Sequence, residues 1–374
     1  MEPLSQAIQT TPAFIRQGSP YSPPVHVYSL HLSPTWTVGS VAHGGYLLSV
    51  LTSAVQLHQS LHAPAFAQHK DPAHLTSQFL SASVPGRAEV EVKTVSVTKN
   101  WTRLEVELWQ WTPAADTTDF TNPNTNRVLR ITAHFLVTAL PPLPPPGPVS
   151  SDSLGPASSN VNYLDMPCPL LEHPGAIDMS DGGTPIPSKL RFGEGMRWKE
   201  VEIQERSDGA LAWGAWIELR NGEDLRESAA LIPFFADVAK NGPEVAPGNE
   251  QRGIFWFPTM TLSLDFKAAF PLLAASSSSA TGPASRTFGI YSSTKSIHDG
   301  RHDLTVEVWS APTDLREGGD AQKEEQEKDS EGVEKWRREG SRLLGVSTQM
   351  ALCVPIAVNT ARGVKNGGKD GAKL

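Results

Sequence analysis

One carboxylate lies inside an otherwise apolar stretch, LIPFFADVAKNGP, residues 231–243. Asp237 follows Phe235 and Ala236 and precedes Val238. An ionised carboxylate is costly to remove from water unless a partner compensates it, so two interpretations are open. Asp237 either marks the polar edge of a helix, or it is the working group of a site. In a site, apolar neighbours raise the proton affinity of a carboxylate and suit it to act as a general base.

A glycine pair, Gly44-Gly45, opens the segment GGYLLSVLTSAVQLHQSL. This segment predicts a helix over 44–61, because its apolar residues recur on one stripe. Two uses of the glycines are open: they could expose backbone N–H groups to an oxyanion or a phosphate, or they could let another element pack closely. His43, next to the pair, is a further candidate to line a substrate site.

Several familiar catalytic motifs do not occur in the sequence. GxSxG, GxGxxG, the Walker A loop and HExxH are missing, which argues against a serine-hydrolase elbow, nucleotide-binding loops and a zinc protease. His298 and His302 have the spacing of a metal-binding pair, but Asp299-Gly300 between them predicts a hairpin turn. Cys168 and Cys353 are too isolated for a disulfide framework or a zinc knuckle. We therefore expect no metal site.

The composition is that of a soluble intracellular protein. The 374 residues are 39% hydrophobic and 19% charged, and this length accommodates about two domains. A net charge of −8 argues against a nucleic-acid partner, since such proteins usually present a basic surface. No apolar run approaches the ~20 residues that span a bilayer, and the N-terminus lacks the pattern of a signal peptide.

The sequence contains two copies of one pattern. Segment 75–110 resembles segment 262–311, with Phe79 matching Phe266 and Trp109 matching Trp309. Farther on, ITAHFLV (131–137) matches VSTQMAL (346–352). The resulting domain boundaries are 1–140 for the first copy, 141–189 for a Pro/Ser-rich linker, 190–358 for the second copy with insertions near 272–287 and 313–342, and 359–374 for a flexible tail.

Each copy predicts a helix followed by long antiparallel strands. The strands AEVEVKTVSVT and WTRLEVELWQW alternate apolar and polar residues, as half-buried strands do. The helix of the second copy is expected around 229–241. The sequence thus indicates an α+β fold of the tandem (double) hotdog type, in which two antiparallel sheets each wrap around a central helix.

The combination of WTVGSVAHGGYLLSVL (36–51) with DPAHLTSQFLSASVPGRAEVEV (71–92), in a duplicated chain, resembles the double-hotdog acyl-CoA thioesterases, including bacterial thioesterase II. The resemblance covers roughly 30–140 and 195–355. It implies hydrolysis of a fatty acyl-CoA substrate to free acid and CoA, without a covalent serine and without a cofactor.

The resemblance also implies a catalytic set of an Asp, a Thr and a Gln that hold the attacking water. Asp237 matches the Asp, Gln349 of STQMA matches the Gln, and Thr259 of TMTLSLDFKAAF matches the Thr, with Thr261 as its competitor. The DHSMWFH-like interior of the bacterial motif is replaced by TLSLDFK. In this assignment the Thr binds the water, the Gln positions it or polarises the carbonyl, and an N–H at the start of the Asp-bearing helix meets the oxyanion.

The first copy lacks this set. The repeat places Pro72 opposite Thr259, His134 opposite Gln349, and Gly44 or Gly45 near the position of Asp237. We therefore expect a single site in the second copy.

Two other functions are compatible with the sequence. A hotdog protein could bind acyl-CoA or lipid without catalysis, or it could be a dehydratase or hydratase. The latter would need an Asp/His pair, and none is evident near Asp237. Whether the chain forms a homo-oligomer is also open.

The last three residues are Ala372-Lys373-Leu374. They resemble the SKL signal that a peroxisomal import receptor reads. The expected location is the peroxisome, with the cytoplasm as the alternative.

Overall fold

The computed structural model describes ten ranges of the chain. These are 1–19, 22–64, 69–111, 127–143, 167–176, 190–204, 206–248, 255–272, 283–312 and 336–359. Most of the predicted linker, most of both predicted insertions and the tripeptide 372–374 lie outside these ranges, so the expectations about them stay predictions.

Helices are few and strands are many among the described residues. The α-helices are α1 (Leu4–Ala7), α2 (Gly44–His62), α3 (Ile232–Phe235) and α4 (Gly242–Val245). Shorter turns are the 3-10 helices Pro174–Ala176, Arg191–Gly195 and Ala229–Leu231 and the π-helix Trp336–Gly340. The strands are β1 (Thr11–Arg16), β2 (Val25–Leu32), β3 (Thr37–Val38), β4 (Val41–Ala42), β5 (Asp71–Phe79), β6 (Gly86–Val97), β7 (Thr102–Trp111), β8 (Arg127–Thr138), β9 (Met196–Glu200), β10 (Leu211–Leu219), β11 (Phe255–Trp256), β12 (Thr259–Phe266), β13 (Thr287–Thr294), β14 (Ile297–His298), β15 (Arg301–Ser310), β16 (Leu343–Leu352) and β17 (Val354–Pro355).

The two copies share one antiparallel sheet. Its order is β1-β2-β6-β7-β8-β5-β12-β16-β15-β13-β10-β9, and β14 pairs with β15. The halves meet where β5 pairs with β12, with Thr76 opposite Ser263. The predicted pair of sheets is therefore one continuous sheet with a half contributed by each copy.

The alternating sequence of the long strands places their apolar side chains on the face that meets α2. On β7, for example, Leu104, Val106 and Leu108 are buried, while the residues between them are half-buried. α2 buries most of its own surface as well, and side chains of both copies join one apolar core. Burial of this core is the main force that holds the two halves together.

The helix of the second copy is much shorter than the predicted 229–241. It consists of one 3-10 turn (Ala229–Leu231) and α3, and it ends at Phe235. Asn241 then caps α4 in a reciprocal pair with Glu244. The chain thus forms two short helices, α3 and α4, with residues 236–241 between them.

The repeat assignment at β16 is wrong by one residue. Gln349 pairs with Leu262 and Leu304, whereas the residue in the same place of the first copy, beside Leu75 and Leu104, is Phe135. The first-copy counterpart of Gln349 is therefore Phe135 and not His134. A shift of one residue in a strand exchanges its two faces, and His134 is indeed exposed where Gln349 is buried.

The hairpin predicted at 298–302 is confirmed. Asp299 and Gly300 have φ angles of 52° and 67°, and Ile297 pairs with His302 across the turn. His302 is held by Asn241, whose Oδ1 lies 2.9 Å from its Nε2. Within the ranges given above, no helix combines the length and the apolar character that crossing a membrane requires.

Because the halves share one core, a substitution that leaves a cavity in the core beside their junction should destabilise the whole fold. Leu264 is fully buried on β12 next to β5, and we expect Leu264→Ala to lower the free energy of unfolding by about 2–5 kcal/mol. Met350 on the adjacent β16 is 39% exposed, so Met350→Ala should change the free energy of unfolding little. Urea denaturation of both variants measures this, and equal effects would contradict a shared core.

Candidate active site at the junction of the two halves

Asp237 lies in the turn directly after α3. Its backbone N–H donates to the carbonyl of Phe234 at 3.2 Å. The carboxylate points at the first turn of α2, where the backbone N–H of Gly45 donates to Oδ2 at 2.6 Å. His43, the N-cap residue of α2, forms no side-chain cap bond. Asp237 thus caps the helix of the other half, where the helix dipole favours a negative charge.

The glycine pair makes this approach possible. A Cβ atom at Gly45 would lie 2.6 Å from the carbonyl oxygen of Pro233 and 2.7 Å from Cβ of Asp237. At Gly44 it would lie 2.8 Å from Oδ2 of Asp237. Of the two uses left open by the sequence, close packing is the one observed, and the anion that meets the Gly45 N–H is the protein's own carboxylate.

Thr259 joins Asp237 to Gln349. Its Oγ1 lies 3.2 Å from Oδ1 of Asp237 and 3.4 Å from Oε1 of Gln349. A hydroxyl carries one hydrogen, so it donates to only one of them at a time. The register of β12 shifts between Thr259 and Thr261, and bulges of this kind re-aim side chains near sites. Thr259, rather than its competitor Thr261, therefore meets the other two residues.

The orientation of the Gln349 amide is fixed by its neighbours. Its Nε2 donates to the carbonyl of Ala236 at 2.8 Å and to Oγ of Ser347 at 3.3 Å. A carbonyl oxygen only accepts hydrogen bonds, so the NH2 group must face Ala236. This leaves Oε1 facing Thr259, and both amide hydrogens are used within the protein. The geometry suits an acceptor that positions a water, and it does not suit a donor that polarises a carbonyl.

His43 completes the site from the first half. Its Nε2 lies 3.7 Å from Oδ2 of Asp237, and its ring packs against Phe192 and Phe234, with ring centroids 5.3 Å away in each case. Nδ1 is buried without a hydrogen-bond partner among the described residues. The sequence indicates His43 as a candidate but not its pairing with Asp237, because the two residues are far apart in the chain. The predicted Asp/Thr/Gln set lies wholly in the second copy, and the first copy adds His43 to the wall next to it.

The expected oxyanion donor is also placed differently. Asp237 follows its helix instead of starting it, so the N–H groups at the start of α3 do not face its carboxylate. The nearest helix start belongs to α2, whose Gly44 lines the cavity next to the site.

Burial governs the protonation of both groups. It raises the pKa of Asp237 from 3.8 to about 7, although the bonds from Gly45 and Thr259 act in the opposite direction. It lowers the pKa of His43 to about 4. At neutral pH the imidazole is uncharged and the carboxyl group is close to its midpoint, as a general base should be.

The three predicted side chains line a cavity of about 620 Å³. Both halves and the two-stranded sheet of β11 and β17 contribute to its wall. The larger apolar lining residues are Val38, Val41, Leu47, Phe79, Leu80, Leu190, Trp198, Val238, Phe255, Trp256, Phe257, Pro258, Met260, Leu352, Val354, Ile356 and Val358. Such a cavity fits an apolar chain with a reactive group next to the polar side chains.

Solved structures identify the class of fold. A Thermobifida fusca protein provisionally assigned as a thioesterase II is similar over 93% of this chain and 98% of its own, with 17% identity and a TM-score of 0.55. A hotdog protein of unknown function from Alicyclobacillus acidocaldarius is similar over 94% and 97%, with 12% identity and a TM-score of 0.56. The acyl-CoA thioesterase II of Mycobacterium marinum is similar over 91% and 95%, with 11% identity and a TM-score of 0.51. The predicted tandem hotdog fold is confirmed.

The sequence profiles identify the family. The acyl-CoA thioesterase N-terminal domain matches residues 32–136, and the C-terminal domain of the same family matches residues 174–315. Together the two matches span more than half of the chain, and the chain belongs to the acyl-CoA thioesterase family.

One curated relative also matches. The ustilagic acid biosynthesis cluster protein orf2 of Mycosarcoma maydis is 35% identical over 85 residues. This match spans 22% of the present chain and 21% of the relative.

The glycine pair can be tested by adding single methyl groups. In Gly45→Ala the new Cβ meets backbone atoms of Pro233 and Phe234 at 2.6 and 2.9 Å, so α3 must move and the free energy of unfolding should fall by about 1–3 kcal/mol. In Gly44→Ala the contact is with a carboxylate oxygen and a ring, so the loss should be smaller. Thermal unfolding of both variants measures the difference, and a more stable Gly45→Ala protein would contradict the packing.

The raised pKa of Asp237 also has a consequence for stability. Between its ordinary 3.8 and about 7, the folded protein keeps a proton that the unfolded chain has lost. Stability contributed by this group is therefore present at low pH and is lost as the pH rises through that window. Asp237→Asn carries no charge, so its stability relative to wild type should grow from pH 4 to pH 8 by on the order of a few kcal/mol. Urea denaturation at both pH values tests this, and a constant difference would exclude the raised pKa.

Proposed function

We propose that the protein hydrolyses acyl-CoA to a free acid and CoA with a water held by Asp237, Thr259 and Gln349. The observation that carries the proposal is that these three side chains come from separate elements, contact one another and line the same mostly apolar cavity. The acyl chain would occupy the apolar part, and the thioester would lie next to the three polar groups.

The chemistry follows from the protonation states. Ionised Asp237 takes a proton from the water as the water oxygen attacks the thioester carbon, and a tetrahedral intermediate forms. The C–S bond then breaks, and the proton held by Asp237 passes to the departing sulfur. The second hydrogen of the water is donated to Oε1 of Gln349, and the Thr259 hydroxyl, which lies between Asp237 and Gln349, donates to the water oxygen and helps to orient it. Neutral His43 lines the same cavity, and its one ring N–H could meet the oxyanion.

Turnover of short-, medium- and long-chain acyl-CoA, followed by release of free thiol, tests the proposal. Asp237→Asn keeps the shape and an acceptor for Gly45, but it loses the base, so kcat should fall by about 10²–10⁴-fold. Thr259→Val should lower kcat by roughly tenfold or more. Thr261→Val on the same strand is the matched control and should retain wild-type activity.

The pH profile separates a catalytic carboxylate from a structural one. Only the ionised form accepts a proton, so kcat/KM should rise through a midpoint near 7, the pKa of Asp237, and then level off. Residual activity of Asp237→Asn should lack this midpoint. Wild-type turnover by Asp237→Asn would overturn the assignment of the site. A folded wild type that binds but does not cleave any of the acyl-CoAs would indicate a non-catalytic binding protein.

A second candidate function rests on the pair of His43 and Asp237. An imidazole and a carboxyl group 3.7 Å apart could remove a proton and a hydroxyl group from a 3-hydroxyacyl thioester, which is the chemistry of a dehydratase. Incubation with 3-hydroxyacyl-CoA distinguishes the two functions. Formation of the conjugated enoyl thioester without free thiol supports the dehydratase, and release of thiol alone supports the hydrolase.

A further inference from the structure

Three histidines form a cluster at the other end of α2. His58 and His62 lie on the last turns of this helix, and His26 lies on β2. Their ring centroids are 4.0 Å apart for His26 and His62, 4.8 Å for His26 and His58, and 5.0 Å for His58 and His62. One ring nitrogen from each can be chosen so that all three atoms lie within 4.8 Å of one another.

The arrangement is that of a ligand set. Residues four apart on a helix share one face, so His58 and His62 present their rings side by side, and His26 closes the third side from the sheet. Three imidazoles with one open position are a common set for Zn²⁺, and Cu²⁺ and Ni²⁺ also favour imidazole. The burial of the ligands is graded, since His58 is buried, His26 is half-buried and His62 is exposed. An ion can therefore enter from the side of His62.

Two of the three rings, those of His58 and His26, have a lowered pKa. Burial, together with the nearby His26 and His62, lowers the pKa of His58 to about 3. Burial and His62 also lower the pKa of His26. A neutral ring keeps a lone pair for a metal at pH 7.

Tyr28 and Thr94 hold the ring of His58 from both sides. The Tyr28 hydroxyl lies 3.0 Å from Nδ1, and Oγ1 of Thr94 lies 3.0 Å from Nε2. The bond to Tyr28 is buried, whereas the bond to Thr94 is only partly buried. Metal-bound histidines usually keep such a bond on the second nitrogen. Nε2 is therefore the nitrogen that can exchange its hydroxyl partner for an ion.

We propose that His26, His58 through Nε2 and His62 form a binding site for a divalent transition-metal ion of the zinc type. Nδ1 of His58 keeps its bond to Tyr28, and water fills the remaining position. The ion ties the C-terminal end of α2 to β2. His58 follows Gly44 by fourteen residues, about 21 Å along a helix, so the ion stabilises the fold without entering the chemistry at Asp237. The proposal does not depend on the proposed function.

The test is a titration of the chelator-treated full-length protein with Zn²⁺ by calorimetry and with Co²⁺ by visible absorption. Wild type should bind one ion, with the Co²⁺ spectrum of a four-coordinate site, and Zn²⁺ should raise its melting temperature. His62→Ala and His26→Ala should each weaken binding by roughly tenfold or more and remove this thermal shift. His62 is exposed, so its variant should fold normally without metal.

Two control variants separate this site from scattered surface histidines. His31 lies on the same strand as His26 and is exposed, and His31→Ala should bind like wild type. Thr94→Val removes the competing hydroxyl and keeps all three ligands, so its affinity should equal or exceed that of wild type. Absence of binding by wild type, or an equal loss in His31→Ala and His62→Ala, would overturn the proposal.

Discussion

The site depends on one hydrogen bond, from the backbone of Gly45 to the carboxylate of Asp237 at 2.6 Å. The side chain of Asp237 is only 7% exposed and lines a mostly apolar cavity, and a charge in such a place requires compensation. The start of α2 supplies a partial positive charge that carries no titratable proton. An Arg or Lys partner would hold Asp237 ionised and weaken it as a base, whereas a helix start leaves its pKa near neutrality. The two glycines follow from this need, because only a backbone without Cβ atoms lets the carboxylate approach.

The turn that carries Asp237 also organises the rest of the site. The carbonyl of Ala236, the preceding residue, accepts hydrogen bonds from Nε2 of Gln349 and from Oγ of Ser347. The position of the acid and the orientation of the amide are thus fixed by one stretch of backbone. This stretch is docked on α2 by a further bond, from the backbone N–H of Phe234 to Oγ of Ser49. The two halves therefore position each other's polar groups, and neither half alone contains the complete arrangement.

The sequence predicted what is encoded locally. The period of the apolar residues indicated α2 and the long strands, and the resemblance to thioesterases indicated Asp237, Thr259 and Gln349, which the fold brings together. The pairing of His43 with Asp237 could not be predicted, because tertiary folding alone joins them. The assignment of His134 as the first-copy counterpart of Gln349 failed for a different reason. Two strands whose side chains alternate between faces can be aligned in two ways that differ by one residue, and only the pairing with neighbouring strands shows which alignment is right. The early end of α3 and the separate start of α4 were not predicted, because the apolar run of residues 231–238 favours one longer helix.

The continuous sheet has a consequence for the symmetry of the molecule. Where the second half presents Thr259 and Gln349, the first half has Pro72 and Phe135, both buried. In a pair of identical chains, any substitution at these positions would appear in both halves. In a single covalent chain each half can differ, while the link keeps it at high effective concentration next to the other. The molecule is thus asymmetric at these positions, with apolar side chains in the first half and polar side chains in the second.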